Sequence, residues 1–486
     1  MFGALKSSLP IHCLSPAPDQ SRIKRDHCLH LRTALHIRLA SLLSNSFVKR
    51  FGALAIANVL SNLMVPLAGI IDTAFLGHLA DIHHLGGVAI ATVIFNLVYW
   101  SFGFLRMGTT GLTAQAYGRR DVVEIRLVVL RNCLLAVVLS SIILILQTPI
   151  RELGFWLLET ETNVRLSGET FYNARIWGAP AVLVNYVLLG WFLGCGQGKR
   201  VVMLSLVGNG GNILLDYWFI RQLGWASAGA GAATAISQGM MLIVGIAFVL
   251  RDCSVTEVWQ LRTRLWHRAT FYSILRLNRD ILVRTFSLLM SFALFTNWSS
   301  AMGTGILAAN TLLLQVVTLA SYLIDGIAFA TESFAGQFYG SSNQRQLRNL
   351  VLGGVSLSVF LGLTMALIFA LFPQPLFQIM TQHQSVIDQV KTYVWWLVPT
   401  LGFGAIAFLL DGYFLGITAG KWLRNSTILA TAGGFLPIGW IAYWSGTPHL
   451  LWLALVSFMA IRAITLAIKV PHSWREEQAS ATKSPL

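Results

Sequence analysis

The sequence is short of charge: Asp, Glu, Lys and Arg make up only 11% of its 486 residues, against about 25% in ordinary soluble proteins. It has no HExxH, GxSxG or Walker motif, so nothing in it indicates a membrane protease, a lipase or an ATPase. Its five cysteines have no CxxC spacing, so neither a disulfide framework nor a zinc site is predicted. What it has instead is 55% hydrophobic residues and a mean hydropathy of +0.65. This composition predicts an all-α integral membrane protein.

Apolar runs long enough to cross a membrane, about 20 residues each, recur from Phe51 onward. Glycines and prolines within the runs blur their ends. We predict twelve transmembrane helices, near residues 51–79, 85–107, 125–148, 168–193, 201–221, 226–250, 281–304, 306–332, 349–373, 387–416, 422–444 and 449–470.

The net charge of +15 comes from basic residues that cluster in alternate short loops. Basic loops face the cytosol, so both termini are predicted to be cytoplasmic and no nucleic acid is expected as a partner. We predict a multi-pass protein of a bacterial inner membrane. The basic, acid-poor leader also resembles an organelle transit peptide, which leaves a plastid envelope as the alternative. The predicted inside loops carry Arg119, Arg120, Lys199, Arg200, Arg345, Arg348, Lys421 and Arg424.

The second half of the chain repeats the first at an offset of 222 residues. GWFLGCGQGK (Gly190 to Lys199) matches GYFLGITAGK (Gly412 to Lys421) at six of ten positions. TTGLTAQAYG from Thr109 and TESFAGQFYG from Thr331 share Thr, Gln, Tyr and Gly at the same offset. Six helices per half predict a parallel pseudo-two-fold repeat with a cleft between its lobes.

The predicted parts of the chain are therefore a tail, two lobes, a linker and a second tail. The basic tail is expected to be disordered and the linker is expected to be cytosolic. Their bounds are 1–47 for the N-terminal tail, 48–250 for the N-lobe, 251–279 for the linker, 280–470 for the C-lobe and 471–486 for the C-terminal tail.

Acidic residues inside the predicted N-lobe spans are the main functional candidates, because charge in a membrane is unfavourable. Asp72 follows Pro66, which can bend the first helix. Asn212 and Asp216 lie one helical turn apart on the fifth. These groups can bind a proton or supply oxygen ligands to Na⁺, and the spacing does not choose between the two. The alternative is that each makes a buried structural hydrogen bond.

The C-lobe has no equivalent Asn-Asp pair. Its secondary candidates are Asp325 and Asp411, each of which could instead pair with a neighbour. Glu332 is expected near the cytosolic end, where hydration is the alternative to a functional role. Arg462, near the inner end of the last span, is expected to extend toward the interface.

Three histidines, His78, His83 and His84, fall at the outer end of the first span and in its loop. Their spacing makes no helical ligand pair, so they are interpreted as solvated interfacial residues and no metal site is predicted. No cofactor is expected other than the coupling ion.

The segments PLAGIIDTAFLGHL (Pro66 to Leu79) and FLRMGTTGLTAQAYG (Phe104 to Gly118) closely resemble the DinF-like branch of the MATE family of multidrug and toxic compound extrusion transporters. The resemblance covers residues ~50 to 470. It implies two six-helix lobes around a V-shaped cleft, and export of organic, often cationic compounds in exchange for H⁺ or Na⁺. Membrane lipids are the other expected partners, and one chain, holding the complete pathway, is expected to function as a monomer.

The family pattern carries onto Asp72, Asn212 and Asp216, and additionally implies Thr234 in the sixth helix. Some relatives use acids in the seventh and tenth helices, but this chain has no acid between Ile281 and Thr304. The hypothesis is cation-coupled antiport by alternating access. A lipid or lipid-linked sugar flippase of the same superfamily is the first alternative, and a membrane-embedded enzyme, which lacks a catalytic motif here, is the second.

Overall fold

A computed structural model of the chain describes residues 45–79, 81–158, 161–253, 257 and 260–481. Most of the predicted N-terminal tail lies outside these residues. A small unit ends at Arg50, and the main unit runs from Phe51 to the end of the chain. The described residues form helices joined by short turns, and no strand occurs among them. The predicted all-α class is confirmed.

Twenty α-helices are named here in chain order within the described residues. They are α1 Asn45–Gly77, α2 His83–Ser101, α3 Phe104–Gly118, α4 Val122–Ile145, α5 Gln147–Leu157, α6 Thr162–Arg175, α7 Ala179–Gly194, α8 Gly198–Ser205, α9 Gly211–Asp216, α10 Ala226–Asp252, α11 Arg262–Leu265, α12 Arg268–Ala301, α13 Thr304–Gly340, α14 Gln344–Leu371, α15 Pro373–Gln378, α16 Gln384–Tyr393, α17 Leu397–Gly416, α18 Gly420–Leu429, α19 Leu436–Ser445 and α20 Pro448–Ala481.

Eleven helical segments of the described chain are long and apolar enough to cross a membrane. They match eleven of the twelve predicted spans. The remaining one, the fifth, is the helical stretch formed by α8, α9 and the turns around them, where Asn209, Asn212 and Asp216 lower the hydropathy. The polar residues that mark this span as a functional candidate are thus also those that make it the least apolar.

Local irregularities recur in both halves. The fourth and tenth spans are each broken by one 3-10 turn, at Ile176–Gly178 and Val394–Trp396. The fifth and eleventh each contain a wide π-helical turn, at Leu206–Gly210 and Ala430–Phe435. π-helical turns in helices are often found at functional sites. Their recurrence supports the internal repeat that the sequence motifs indicate.

Each half packs around its own apolar core. In the N-half, α7 packs against α3, α4 and α10, while α6 packs against α2 and α10. In the C-half, α17 packs against α13, α14 and α20. Trp452 and Phe435 are fully buried in the C-half core. The two halves meet mainly where α13 contacts α3.

Two predicted boundaries differ from the helix ends. The seventh helix begins at Arg268, inside the predicted linker, and the last helix continues to Ala481, beyond the predicted span end near 470. Both extensions are polar, and a helix continues past the apolar core wherever its residues permit hydrogen bonding. Hydrophobicity locates the membrane crossing but not the end of the helix.

Candidate functional site

The side chains of Asp72 and Asp216 adjoin each other in the N-half. Asp72 is half-buried on α1, and Asp216, the last residue of α9, is fully buried. Contacts on both sides of α9 join α1 to the fifth span. The Ser61 and Ser205 hydroxyls are hydrogen-bonded, and the rings of Phe75 and Tyr217 are 6.3 Å apart. The two acids that the sequence analysis selected 144 residues apart therefore form one site.

The Asn and Thr of the predicted set lie at the same place. Asn212 is 7% exposed on α9 and neighbours Asp216, one turn away. Its Nδ2 donates to Thr234 Oγ1 at 3.4 Å, and Thr234 Oγ1 donates to its own helix at Ala230 O, 3.0 Å away. The structure thus brings together all four predicted residues, including Thr234, which only the family resemblance implied.

Arg175 is a member of the site that the sequence analysis did not include. It ends α6, and its charge interacts with both Asp72 and Asp216. Its guanidinium also lies over the Phe95 ring, 4.6 Å from the centroid. Residue type alone marks Arg175 as an intramembrane cation, but only the packing of α6 against α10 brings it to the acids. That packing requires Gly231, where a Cβ atom would lie 2.5 Å from Phe171 O.

The carboxylate oxygens of this site are short of donors. Asp72 Oδ1 and both Asp216 oxygens are buried and have no hydrogen-bond partner in the described structure. Two adjacent ionised carboxylates can only accept hydrogen bonds, so neither can donate one to the other. A proton between them, or a small cation bound by both, would supply what is missing.

Asp411, a secondary candidate, lies in a different environment. Its Oδ2 accepts hydrogen bonds from Arg284 on α12 and Arg462 on α20. Asp411 is 3% exposed and Arg462 is fully buried. The expectation that Arg462 extends to the interface was wrong, because its face of α20 packs onto α17 within the lobe. Asp411 links three helices of the C-half, and its charge is already compensated.

Asp325 and Glu332 lie on α13 and face the same group of cations. The charge of Asp325 interacts with Arg284 and Arg106. Glu332 is fully buried, so the alternative that it is hydrated is wrong. Neither of its carboxylate oxygens has a hydrogen-bond partner in the described structure, and the charge of Arg106 in the other half acts on it. These residues do not join the Asp72 site.

An acid also occurs on the seventh helix, just before the predicted span. Asp280 Oδ1 accepts from Arg424 Nη1 at 2.7 Å and from Arg279 Nη2 at 3.0 Å. Asp280 is 4% exposed. It pairs α12 with α18 at their basic ends, which is a structural contact.

His83 and His84, at the start of α2, come closer to Asp81 than their spacing suggests. Donor atoms of Asp81, His83 and His84 all lie within 4.8 Å of one another. His84 Nδ1 is 2.8 Å from Ser227 Oγ, beside a cavity of about 180 Å³. Asp81 is exposed and both histidines are half-buried. The absence of a metal site stays a prediction.

Comparison with known proteins gives the family. The sequence model described as MatE matches residues 57–218 and again 281–441, once in each half. The chain is 34% identical over 444 residues to DNA damage-inducible protein F of Escherichia coli (strain K12), covering 91% of this chain and 96% of that protein. It is 27% identical over 424 residues to "Probable multidrug resistance protein NorM" of Acinetobacter baylyi, covering 83% and 91%.

The fold is also that of a solved structure. A crystal structure described as MATE in the bent conformation matches with a TM-score of 0.79 at 20% identity, covering 90% of this chain and 97% of that one. Twelve helices in two six-helix lobes, as predicted, fit that fold.

Proposed function

This chain belongs to the MatE family, the multidrug and toxic compound extrusion transporters, and on that basis we propose that it exports small organic compounds in exchange for H⁺ or Na⁺. The family consists of transporters and not of enzymes, and the many spans make this chain a multi-pass membrane protein. The relative named for multidrug resistance supports a cargo of organic compounds.

The observation that carries the proposal is the pair of adjoining carboxyl groups of Asp72 and Asp216. Both Asp216 oxygens and Asp72 Oδ1 are buried without a hydrogen-bond partner in the described structure, and the Asn212 side chain lies next to Asp216. Such a group of hard oxygen atoms binds a proton or a small cation. The site is where the coupling ion acts.

Counting charges gives the stoichiometry. With both acids ionised, Asp72 and Asp216 contribute two negative charges and Arg175 one positive charge, so the site lacks one positive charge. One proton or one Na⁺ restores neutrality, and so does one monovalent organic cation. Ion and cationic substrate therefore compete for the same missing charge, which is the basis of exchange.

Movement of the lobes then follows from differential affinity. Binding of the ion favours whichever state brings Asp72 and Asp216 together, and it can shift the equilibrium only by its difference in affinity between the states. Pro66 lies inside α1 and leaves the Asn62 carbonyl without its helical donor. We take this as the point where α1 bends when Asp72 changes its charge.

The orientation follows from the basic loops. Arg119, Arg120 and Lys199 are assigned to the cytosol together with both termini. The membrane is assigned as a bacterial inner membrane, which the match to the E. coli relative supports. Each chain holds two lobes and one carboxylate site, and we assign transport to the monomer.

The flippase alternative needs cations free to bind anionic headgroups. Arg284 and Arg462 bind Asp411 instead. Arg175 interacts with Asp72 and Asp216 through charge alone. Arg106 interacts in the same way with Asp325 and Glu332. The acids around these arginines favour an organic cation over an anionic lipid as cargo.

The test is efflux of a cationic dye from proteoliposomes under an imposed pH gradient or an imposed Na⁺ gradient. One-for-one exchange with H⁺ allows a dye concentration ratio of about tenfold per pH unit, since each unit is worth about 1.4 kcal/mol. Asp72→Asn should abolish the gradient-driven export while the protein still folds. Asp388→Asn, in an exposed pair with Lys391, is the matched control. Full gradient-driven export by Asp72→Asn would contradict the proposal.

A further inference from the structure

The two repeated motifs meet each other where the halves of the protein touch. Gln115, near the end of α3, donates from Nε2 to Gly416 O of the C-half at 3.1 Å. Gln337, near the end of α13, donates from Nε2 to Gly194 O of the N-half at 3.1 Å. Gln115 and Gln337 are separated by 222 residues, and so are Gly194 and Gly416. The two contacts are therefore the same contact, made once in each direction.

The acceptors are well suited to hold a donor from the other half. Gly194 ends α7 and Gly416 ends α17. Carbonyl groups in the last turn of a helix have no partner within the helix. Gln115 is 9% exposed and Gln337 is 8% exposed, so each bond is largely shielded from water. If the halves separate here, the glutamine amides and the carbonyl groups at the helix ends must form hydrogen bonds with water in place of those they make with each other.

Further hydrogen bonds and a close backbone approach surround the two glutamines. Ser333 Oγ donates to Leu193 O at 2.7 Å. A Cβ atom on Gly118 would lie 2.1 Å from Gln337 O, and one on Gly340 would lie 2.2 Å from Gln115 O. Only glycine allows the backbones to come this close, and the two positions are again related by the repeat.

We propose that Gln115 and Gln337 are positioning residues of the transport cycle: together with Gly416 and Gly194 they form a reciprocal latch that holds the halves closed at the end carrying the basic loops. Its role in transport rests on the proposed function and on the assignment of that end to the cytosol. There the latch closes the inner side, and its release opens the cleft for uptake from the cytosol. Because the cytosolic side of the cleft opens only when the latch is released, the cleft is not open to both sides of the membrane at once.

The latch is tested by distance measurement between spin labels, which needs no transport. Arg119→Cys and Ser341→Cys, both exposed and related by the repeat, carry the labels after the five native cysteines are replaced. In nanodiscs, Gln337→Leu removes one hydrogen bond between the halves and should raise the ratio of long to short distances about fivefold. Gln115→Leu removes two, to Gly416 O and Thr418 Oγ1, and should raise that ratio at least about fivefold. The double variant should raise it at least roughly 25-fold. Gln222→Leu, at an exposed glutamine outside the latch, should change nothing.

Two further variants secure the result. Gly118→Ala with Gly340→Ala adds two methyl groups at the closest approach and should produce the same long distances by a different route. Gln115→Asn with Gln337→Asn keeps the buried amides but shortens their reach, and serves if the leucine pair does not give monodisperse protein. Unchanged distances in the double glutamine variants, or a shift from only one of the two positions, would overturn the latch. If the glutamine variants shift the distances as expected but the wild-type protein exports no dye, the proposed function is overturned and the latch is not.

Discussion

Replacing Asp411 by asparagine should destabilise the protein strongly, because it removes the carboxylate that both arginines bind and leaves only the charge of Asp325 near them. Asp411 accepts from both Arg284 and Arg462, which are 8% exposed and fully buried respectively. Removing one partner from a buried ion pair typically costs about 3–5 kcal/mol. Two cations bind this one carboxylate, so we expect Asp411→Asn to lie at the upper end of that range.

The assay is the fraction of monodisperse protein left after heating in detergent, followed by size-exclusion chromatography. Asp388→Asn is the control for removal of a carboxylate. Asp388 is 60% exposed as a side chain and bonds Lys391 at 3.1 Å, and exposed pairs contribute only about 0–1 kcal/mol. Asp411→Asn should have a clearly lower midpoint temperature than Asp388→Asn.

A variant that removes the arginines together with Asp411 shows whether Asp411→Asn is unstable because charges are left unbalanced or because packing is lost. Asp411→Leu combined with Arg284→Met and Arg462→Met removes all three charges, and apolar replacement of a whole buried ion cluster is often neutral or stabilising. We expect it to recover most of the stability lost in Asp411→Asn. If Asp411→Asn were as stable as the Asp388 control, or the triple variant less stable than Asp411→Asn, the structural role given to this cluster would be refuted.

Three other changes test separate contacts. Thr234→Val removes the acceptor of the Asn212 amide and should raise the cation concentration for half-maximal export about fivefold, the effect of about 1 kcal/mol; unchanged ion dependence would contradict its place in the site. Pro66→Ala restores a regular helix, so it should slow exchange, measured by dye efflux, without lowering the midpoint temperature on heating. An unchanged exchange rate would show that a bend at Pro66 has no part in transport. Gly326→Ala should destabilise by about 1–3 kcal/mol, as overpacking does, because its Cβ would lie 2.2 Å from Val59 Cγ2; an unchanged midpoint temperature would contradict that contact.

The spans and the repeat could be read from the sequence because hydrophobicity and identical residues are local signals. Asp72, Asn212 and Asp216 could also be selected, since a polar group in an apolar helix is conspicuous wherever it lies. The fifth span was harder, because those same polar residues reduce its hydropathy. Thr234 carries no such signal and is ordinary in a membrane helix, so only the family resemblance implied it.

Partners in space could not be read from the sequence. Arg175 and Asp216 lie on different helices, and hydrophobicity does not give the rotation of one helix against another. The same limit explains Arg462, which was expected at the interface but faces Asp411. The repeated motifs were visible as a pattern, yet the pairing of Gln115 with Gly416 required the arrangement of the two halves.

The most direct test of the central claim is release of the coupling ion when substrate binds to the purified protein. Proton release is followed with a pH indicator in weak buffer, and Na⁺ release with radioactive sodium, while a cationic dye is added. In the proposed mechanism the site of Asp72, Asp216 and Arg175, with both acids ionised, needs one further positive charge, so we predict release of about one cation per bound dye. Asp72→Asn and Asp216→Asn should release none, and Asp388→Asn should behave as wild type. Dye binding without release of either ion, or release that persists in both site variants, would contradict the account.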